Sequence, residues 1–390
     1  MVTRDEEHST RGRANALRAA MSGVLPASEL TSPRMAKVME LCISCKACKA
    51  ECPSAVDMAR IKTEFLARYY QVHGTPLRVR FFGHAATLNR LGSGRRAPLT
   101  NAALRSRIGR AVGHRLLGLA PQRALPEMAR VPFETWWRKH VATSIPQPMA
   151  TIVLLIDPFT NYNHPEVGIA AVEFFEAIGV EIAAAPALDD GRACLSKGLV
   201  ADARRAAERM VVALSPWAER GLPVVGLEPS GLLTLRDEYL HLLPGDERAR
   251  ALAGHALTFE EFVDGLAEGH DLRPFFADEP RRVLLHGHCH QKALVGTGPA
   301  RRVLALPGYR VTEVDSGCCG MAGSFGYEAE HYDLSMQMGE RRLLPAVRET
   351  PPETIIAAAG VSCRQQIAHG SGRMALHPAQ VLRRALRSNP

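Results

Sequence analysis

The chain has 390 residues, room for two or three domains, with 46% hydrophobic and only 6% aromatic residues and a net charge of +8. No run of 18 apolar residues occurs, so no membrane-spanning helix is expected, and MVTRDEEHSTRGR at the start lacks the apolar centre of a secretory signal. The expected location is therefore cytoplasmic. Residues 1–150 carry 24 Lys and Arg against 10 Asp and Glu, whereas residues 151–390 carry 24 against 30. The basic front half suits an acidic protein partner, an anionic membrane surface or plain solvation. Its arginines are scattered and do not alternate with aromatic rings, so nucleic acid is not an expected partner.

In chain order, SPRMAKVMEL reads as a helix with Ser32 as N-cap and Pro33 at the first position. A cysteine-rich loop follows. AVDMARIKTEFLARYYQVHG reads as the next helix, with Ile61, Phe65, Leu66 and Tyr69 near helical spacing and Gly74 as its stop. GHRLLGLAP and PFETWWRKH are further helical pieces, and LGSGRRAPLTN reads as a loop. From residue 150 short apolar runs alternate with amphipathic stretches. The order is TIVLLI, HPEVGIAAVEFFEAIG, VEIAAA, LVADARRAAERMVVALS and LPVVGL. The alternation restarts near 281 with RRVLLHG, PARRVLALPG, YRVTEV, one helix around EAEHYDLSMQMGERRLLPAV, and ETIIAAA. Such alternation indicates α/β units with a mainly parallel sheet.

The restart is close enough to be a repeat. VLL at 153 matches VLL at 283, DDG at 189–191 matches CCG at 318–320, and EPSG at 228–231 matches GVSC at 360–363. The expected fold is an α-helical ferredoxin-type domain followed by two tandem α/β modules.

Residues 41–53, LCISCKACKAECP, place Cys42, Cys45, Cys48 and Cys52 at spacing C-x2-C-x2-C-x3-C before a proline. Thiolates suit iron–sulfur clusters and zinc, but structural zinc usually takes two well-separated C-x2-C pairs. The run is the bacterial-ferredoxin signature of a [4Fe–4S] cluster. In two-cluster ferredoxins the fourth cysteine of such a run serves the other cluster, and residues 1–41 hold no cysteine. Either Cys52 closes a single cluster or a first cysteine run is missing.

Cys289 in HGHCHQKAL, Cys318 and Cys319 in SGCCGMAG, and Cys363 in GVSCRQQ each follow an expected strand. Loops after parallel strands converge on one rim, so these four can meet there. At the matched positions the first module has Phe159, Asp189, Asp190 and Gly231. All four cysteines are gone together, as loss of one shared site would require. The metal stays open among a non-cubane iron–sulfur cluster, zinc and mononuclear iron. His286, His288 and His290 are candidate ligands or proton carriers, and His288 and His290 stand as possible metal ligands beside Cys289. Cys194 stands alone and reads as structural.

LCISCKACKAECPSAVDMARIKTEFLARYY, followed by HCHQKAL, CCG, GVSCRQQI and HPAQVL, resembles the C-terminal iron–sulfur portion of FAD-linked D-2-hydroxyacid dehydrogenases. These include the D-2-hydroxyglutarate and D-lactate dehydrogenase type, and the iron–sulfur subunit of glycolate oxidase is similar. The modules resemble the cysteine-rich CCG domain shared with heterodisulfide reductase. The resemblance implies a helical [4Fe–4S] domain at 1–110, a helical linker at 111–149, a degenerate CCG-type module at 150–275 and a CCG-type module with a metal site at 276–390. It implies FAD only on a partner or on a domain missing ahead of Met1. It also implies electron relay from that flavin to a quinone-type acceptor, with association at the inner membrane face. Alone, the chain is not expected to act on substrate. The alternatives are a heterodisulfide-reductase-like enzyme using the CCG site, and a metal-stabilised assembly subunit without redox role.

Overall fold

A computed structural model describes residues 2–141 and 145–387; Met1, residues 142–144 of the expected linker and residues 388–390 lie outside the described residues. The front of the chain is helical. Ser32 caps the helix Pro33–Glu40 by accepting the Met35 N–H at 3.0 Å, with Pro33 at the first turn. Asp57 opens the helix Met58–His73 and Gly74 ends it at φ +77°, a conformation that favours a residue without Cβ. Between these helices the cysteine run is a loop interrupted by the short helix Ala47–Glu51. Leu17, Met35, Met39, Met58 and Phe65 form a small core against which Cys42 and Cys48 pack.

LGSGRRAPLTN is not a loop. It holds one 3-10 turn, Gly94–Arg96, and the helix Ala97–Arg105 starts directly after it. Pro98 occupies the first turn, where its missing N–H has no helical partner to lose, so the proline starts the helix rather than interrupting it.

Among the described residues, seven short strands form two parallel sheets. They are β1 (Ala150–Leu155), β2 (Val180–Ala184), β3 (Val224–Gly226), β4 (Ala256–Thr258), β5 (Arg282–Leu285), β6 (Arg310–Glu313) and β7 (Ile355–Ala357). The first sheet has order β2-β1-β3-β4 and the second β6-β5-β7. Val153 faces Val224 in one, and Val283 faces Ile355 in the other. β4 is unforeseen: three residues between two helices are too few to show a two-residue period. The helix expected around residues 328–347 is two, Tyr332–Glu340 and Leu343–Glu349. The break lets the adjacent Leu343 and Leu344 both enter the core.

The two sheets share a core on one face, while Val153 and Leu155 of the first and Leu284 and Ile356 of the second turn to separate clusters on the other. Ile152, Leu154, Phe174 and Phe259 belong to one buried cluster with Val283, Leu285, Val381 and Leu382. HPAQVL contributes to this join. His377 caps the helix Pro378–Ala385 and places its Nε2 2.9 Å from the Leu227 carbonyl oxygen, and Arg383 reaches Glu173 at 2.7 Å. Among the described residues, no helix is long and apolar enough to cross a membrane.

Glu328 ties three regions of the chain together. Its buried carboxylate meets Lys197, the His331 imidazole at 3.0 Å and Arg78 at 3.9 Å. Burial alone would raise its pKa, but His331, Lys197 and Arg78 overcome this and hold it at about 2, below the ordinary 4.5. A lowered carboxylate pKa stabilises the fold above pH 4.5, and the contribution is lost as pH falls toward 2. Glu328→Gln is therefore expected to lower stability at pH 7 by up to about 3 kcal/mol. In urea titrations the gap to the parent should shrink between roughly pH 5 and pH 2; a pH-independent gap would refute the assignment.

Candidate metal centres

The first cysteine run is wrapped around positive charge. All four of its cysteines are half-buried. Arg13 is buried, donates from Nε to the Val38 carbonyl at 3.0 Å, and lies within electrostatic reach of Cys42, Cys45 and Cys48. Lys62 donates to the Cys42 carbonyl at 2.6 Å and the Glu40 carbonyl at 2.8 Å. Burial, with Cys289 and Cys42 nearby, pushes the Cys45 thiol up to about 12, and burial raises Cys48. Two cations beneath such thiols favour a centre that carries negative charge. Cys52 differs. The backbone N–H groups of Val56 and Ser54 point at its sulfur and lower its pKa. The first three cysteines thus share Arg13, and the fourth faces its own downstream turn.

Ser44 and Lys46, on either side of Cys45, both have positive φ, +52° and +62°. Non-glycine residues hold that conformation only where the surroundings impose it. Here they do. The Ser44 carbonyl lies 2.9 Å from His290 Nε2, which donates to it. Lys46 is 1% exposed and its ammonium sits between Asp237 and Glu238, 2.7 Å from the latter. Lys49 adds a second contact to Asp237. The cysteine run is thereby fastened onto the α/β region, with Cys45 beside Cys289.

The second cysteine set meets at one rim, as expected for loops after parallel strands. His286, His288 and Cys289 follow β5, Cys318 and Cys319 follow β6, and Cys363 lies in the first turn of the helix after β7, Val361–Ser371. Cys318 is in hydrogen-bonding contact with Cys289 and with Cys319, and Cys319 with Cys363, while the His286 imidazole faces Cys319. Cys319 and Cys363 are buried, and Cys289 and Cys318 are half-buried. Contact with Cys318 lowers Cys289 to about 7, and contact with Cys318 and Cys363 lowers Cys319, whereas the donors Cys318 and Cys363 are raised. Four sulfurs at contact, two of them buried, cannot all be thiolates without a cation among them. The donor set suits a soft metal or an iron–sulfur centre. Glycine lets the backbone close in: a Cβ on Gly360 would lie 2.4 Å from His288 Cδ2, and one on Gly320, at φ +92°, 2.3 Å from the Ser335 carbonyl oxygen.

The three histidines have different neighbours. His288 Nδ1 accepts the His290 N–H at 3.2 Å and its Nε2 is 3.9 Å from Glu228. His290 spends Nε2 on Ser44. His286, by contrast, groups with Cys319 and Cys363, their ligand atoms all within 4.8 Å of one another. Sequence reasoning passed over Arg13, Lys46, Asp237 and Glu238. The two lysines inside the cysteine run were the visible signal, but their partners are 188 and 191 residues away. Cys194 is buried and donates to the Gly83 carbonyl at 3.1 Å, consistent with a structural role.

Comparison with known proteins agrees with the first site. Residues 1–57 match a family model described as a 4Fe-4S dicluster domain. D-2-hydroxyglutarate dehydrogenase of Escherichia coli (strain K12) is 27% identical over 364 residues, covering 90% of this chain and 34% of the relative. One of the subunits of the anaerobic glycerol-3-phosphate dehydrogenase of the same strain is 27% identical over 299 residues, covering 74% of this chain and 72% of the relative. Lactate utilization protein A of Exiguobacterium sp. is 27% identical over 252 residues, covering 60% of this chain and 95% of the relative. The chain spans about a third of the length of the D-2-hydroxyglutarate dehydrogenases it matches. By these comparisons residues 1–57 match the 4Fe-4S dicluster type, and the chain as a whole is similar to dehydrogenases and to a dehydrogenase subunit.

Proposed function

We propose that this chain is the electron-transfer portion of a FAD-linked 2-hydroxyacid dehydrogenase system. A flavin domain, on a partner or ahead of this segment, delivers electrons, and a quinone-type acceptor at a membrane surface takes them. Cys42, Cys45, Cys48 and Cys52 are assigned to a [4Fe–4S] centre, and Cys289, Cys318, Cys319 and Cys363 to a second metal or non-cubane centre. Bound iron–sulfur groups supply reversible one-electron transfer; the chain's own residues hold, charge-balance and shield them. Arg13 and Lys62 offset negative charge at the first site, and burial of Cys319 and Cys363 shields one side of the second.

The observation that carries the reading is the docking of the first cysteine run onto the second. His290, next to Cys289 in sequence, donates to the Ser44 carbonyl beside Cys45. A chain that only stabilised itself with two metals would have no need to join them.

We also read residues 150–275 and 276–390 as tandem copies of one module, after a helical domain (1–110) and linker (111–149). Both sheets place their first strand between the second and third. In the first module a Cβ on Gly231 would lie 2.1 Å from Asp190 Oδ2, so the positions matched to Cys363 and Cys319 also converge there. Burial and Asp189 raise Asp190 to about 8, so that rim holds a neutral acid rather than thiolates.

The test is iron and acid-labile sulfide per chain on anaerobically purified protein, with EPR before and after dithionite. About four irons with a reduced cubane signal, plus additional metal, supports both sites. Zinc without iron would replace the redox reading with the assembly-subunit one.

A further inference from the structure

One imidazole in the second site has a nitrogen without a partner. His286 is 1% exposed. Its Nδ1 lies 2.9 Å from Ser316 Oγ, and Ser316 Oγ in turn reaches the Val314 carbonyl at 3.5 Å. A serine hydroxyl has one proton, and the Val314 carbonyl offers an acceptor for it. With the serine proton on that carbonyl, Nδ1 carries the ring proton and donates it to Ser316, and Nε2 is left as a bare lone pair. That atom is buried and makes no hydrogen bond. The ring's free ligand atom falls within 4.8 Å of the Cys319 and Cys363 sulfurs.

This is the arrangement of a metal-binding histidine. Such a ring spends one nitrogen on an oxygen acceptor, which sets the tautomer and aims the other at the metal. His288 and His290 are not arranged this way. His288 Nδ1 accepts the N–H of His290, and His290 Nε2 is committed to Ser44. A backbone tie holds the ring in place, with the His286 N–H donating to the Ala357 carbonyl at 2.9 Å across β5 and β7.

We infer that His286, through Nε2, is the imidazole ligand of the centre held by the second cysteine set, making it a mixed sulfur–nitrogen site. The inference rests on the proposed metal site at these cysteines and adds the ligand that no cysteine count would supply. A neutral imidazole adds a donor beside the sulfurs without adding negative charge.

The experiment uses the full chain, grown with 15N-histidine and reconstituted anaerobically with ferrous iron and sulfide. Pulsed EPR then looks for imidazole nitrogen coupled to the second-site signal. The expected result is a strong coupling in the parent and in His288→Ala and His290→Ala, absent in His286→Ala. Ser316→Ala should weaken metal retention at that site about 10-fold or more while leaving the first-site signal intact. The first-site signal also shows that each variant is folded, and imidazole added to His286→Gly should restore the coupling. If zinc fills the site, the imidazole scattering pattern at the zinc K-edge serves as the same readout. Metal at the site with no coupled nitrogen, or a coupling that survives in His286→Ala, overturns the inference. A parent chain with no metal beyond the first run overturns the second-site reading, and His286 as its ligand falls with it.

Discussion

Lys46→Ala is expected to lower the unfolding free energy by about 3 kcal/mol and to release the first cysteine run from the α/β region. Lys46 is an almost fully enclosed ammonium between Asp237 and Glu238. Removing it leaves two buried carboxylates short of charge, which is why breaking a buried pair costs more than the pair itself contributes. Lys49 still faces Asp237 and Arg192 still faces Glu238, which keeps the loss below the upper end of about 5 kcal/mol. The positive φ at Ser44 and Lys46 adds to the effect, since a loop freed from its partners relaxes out of that conformation. Chemical denaturation gives the energy, and limited proteolysis within residues 41–53 gives the release. Lys49→Ala is the contrast: its ammonium is partly exposed, so a loss of about 1 kcal/mol or less is expected. Equal effects of the two substitutions would show that Lys46 is not the anchor.

Cys319→Ser is expected to bring metal content down to that of the first run alone. Cys319 is the central sulfur, in contact with Cys318, Cys363 and His286 at once. Serine matches its shape closely, so the fold should survive, but a hydroxyl is a poor ligand for a soft metal. Cys194→Ser, on an equally buried thiol that donates only to Gly83, should leave the metal content unchanged. Metal analysis of the three proteins side by side decides the matter. Full retention in Cys319→Ser would remove the second site from the cysteines assigned to it.

Much of this was visible in the residues themselves. The Ser32 cap with Pro33, the Gly74 stop and the apolar runs at β1, β5 and β7 are encoded within a turn of helix or a few strand residues. The spacing Cys42, Cys45, Cys48, Cys52 likewise carries its chemistry locally, because four thiols within eleven residues cannot avoid one another. The meeting of Cys289, Cys318, Cys319 and Cys363 followed from a topological rule, since parallel strands bring their following loops to one edge.

Only the tertiary structure decided the rest. β4 is three residues long and has no readable period. LGSGRRAPLTN holds Gly and Pro that punctuate loops and helix starts alike, and in the fold Pro98 stands in the first turn of the helix Ala97–Arg105. The two modules share one of their apolar cores, because side chains from one face of each sheet close the same space. Which histidine keeps a free nitrogen depended on Ser316 and Ser44, 30 and 246 residues from their partners. The sequence by itself determined the elements and the thiol chemistry, both set by near neighbours. The docking of one cysteine run on the other was decided by buried charges on distant segments, whose pairing exists only once the chain has folded.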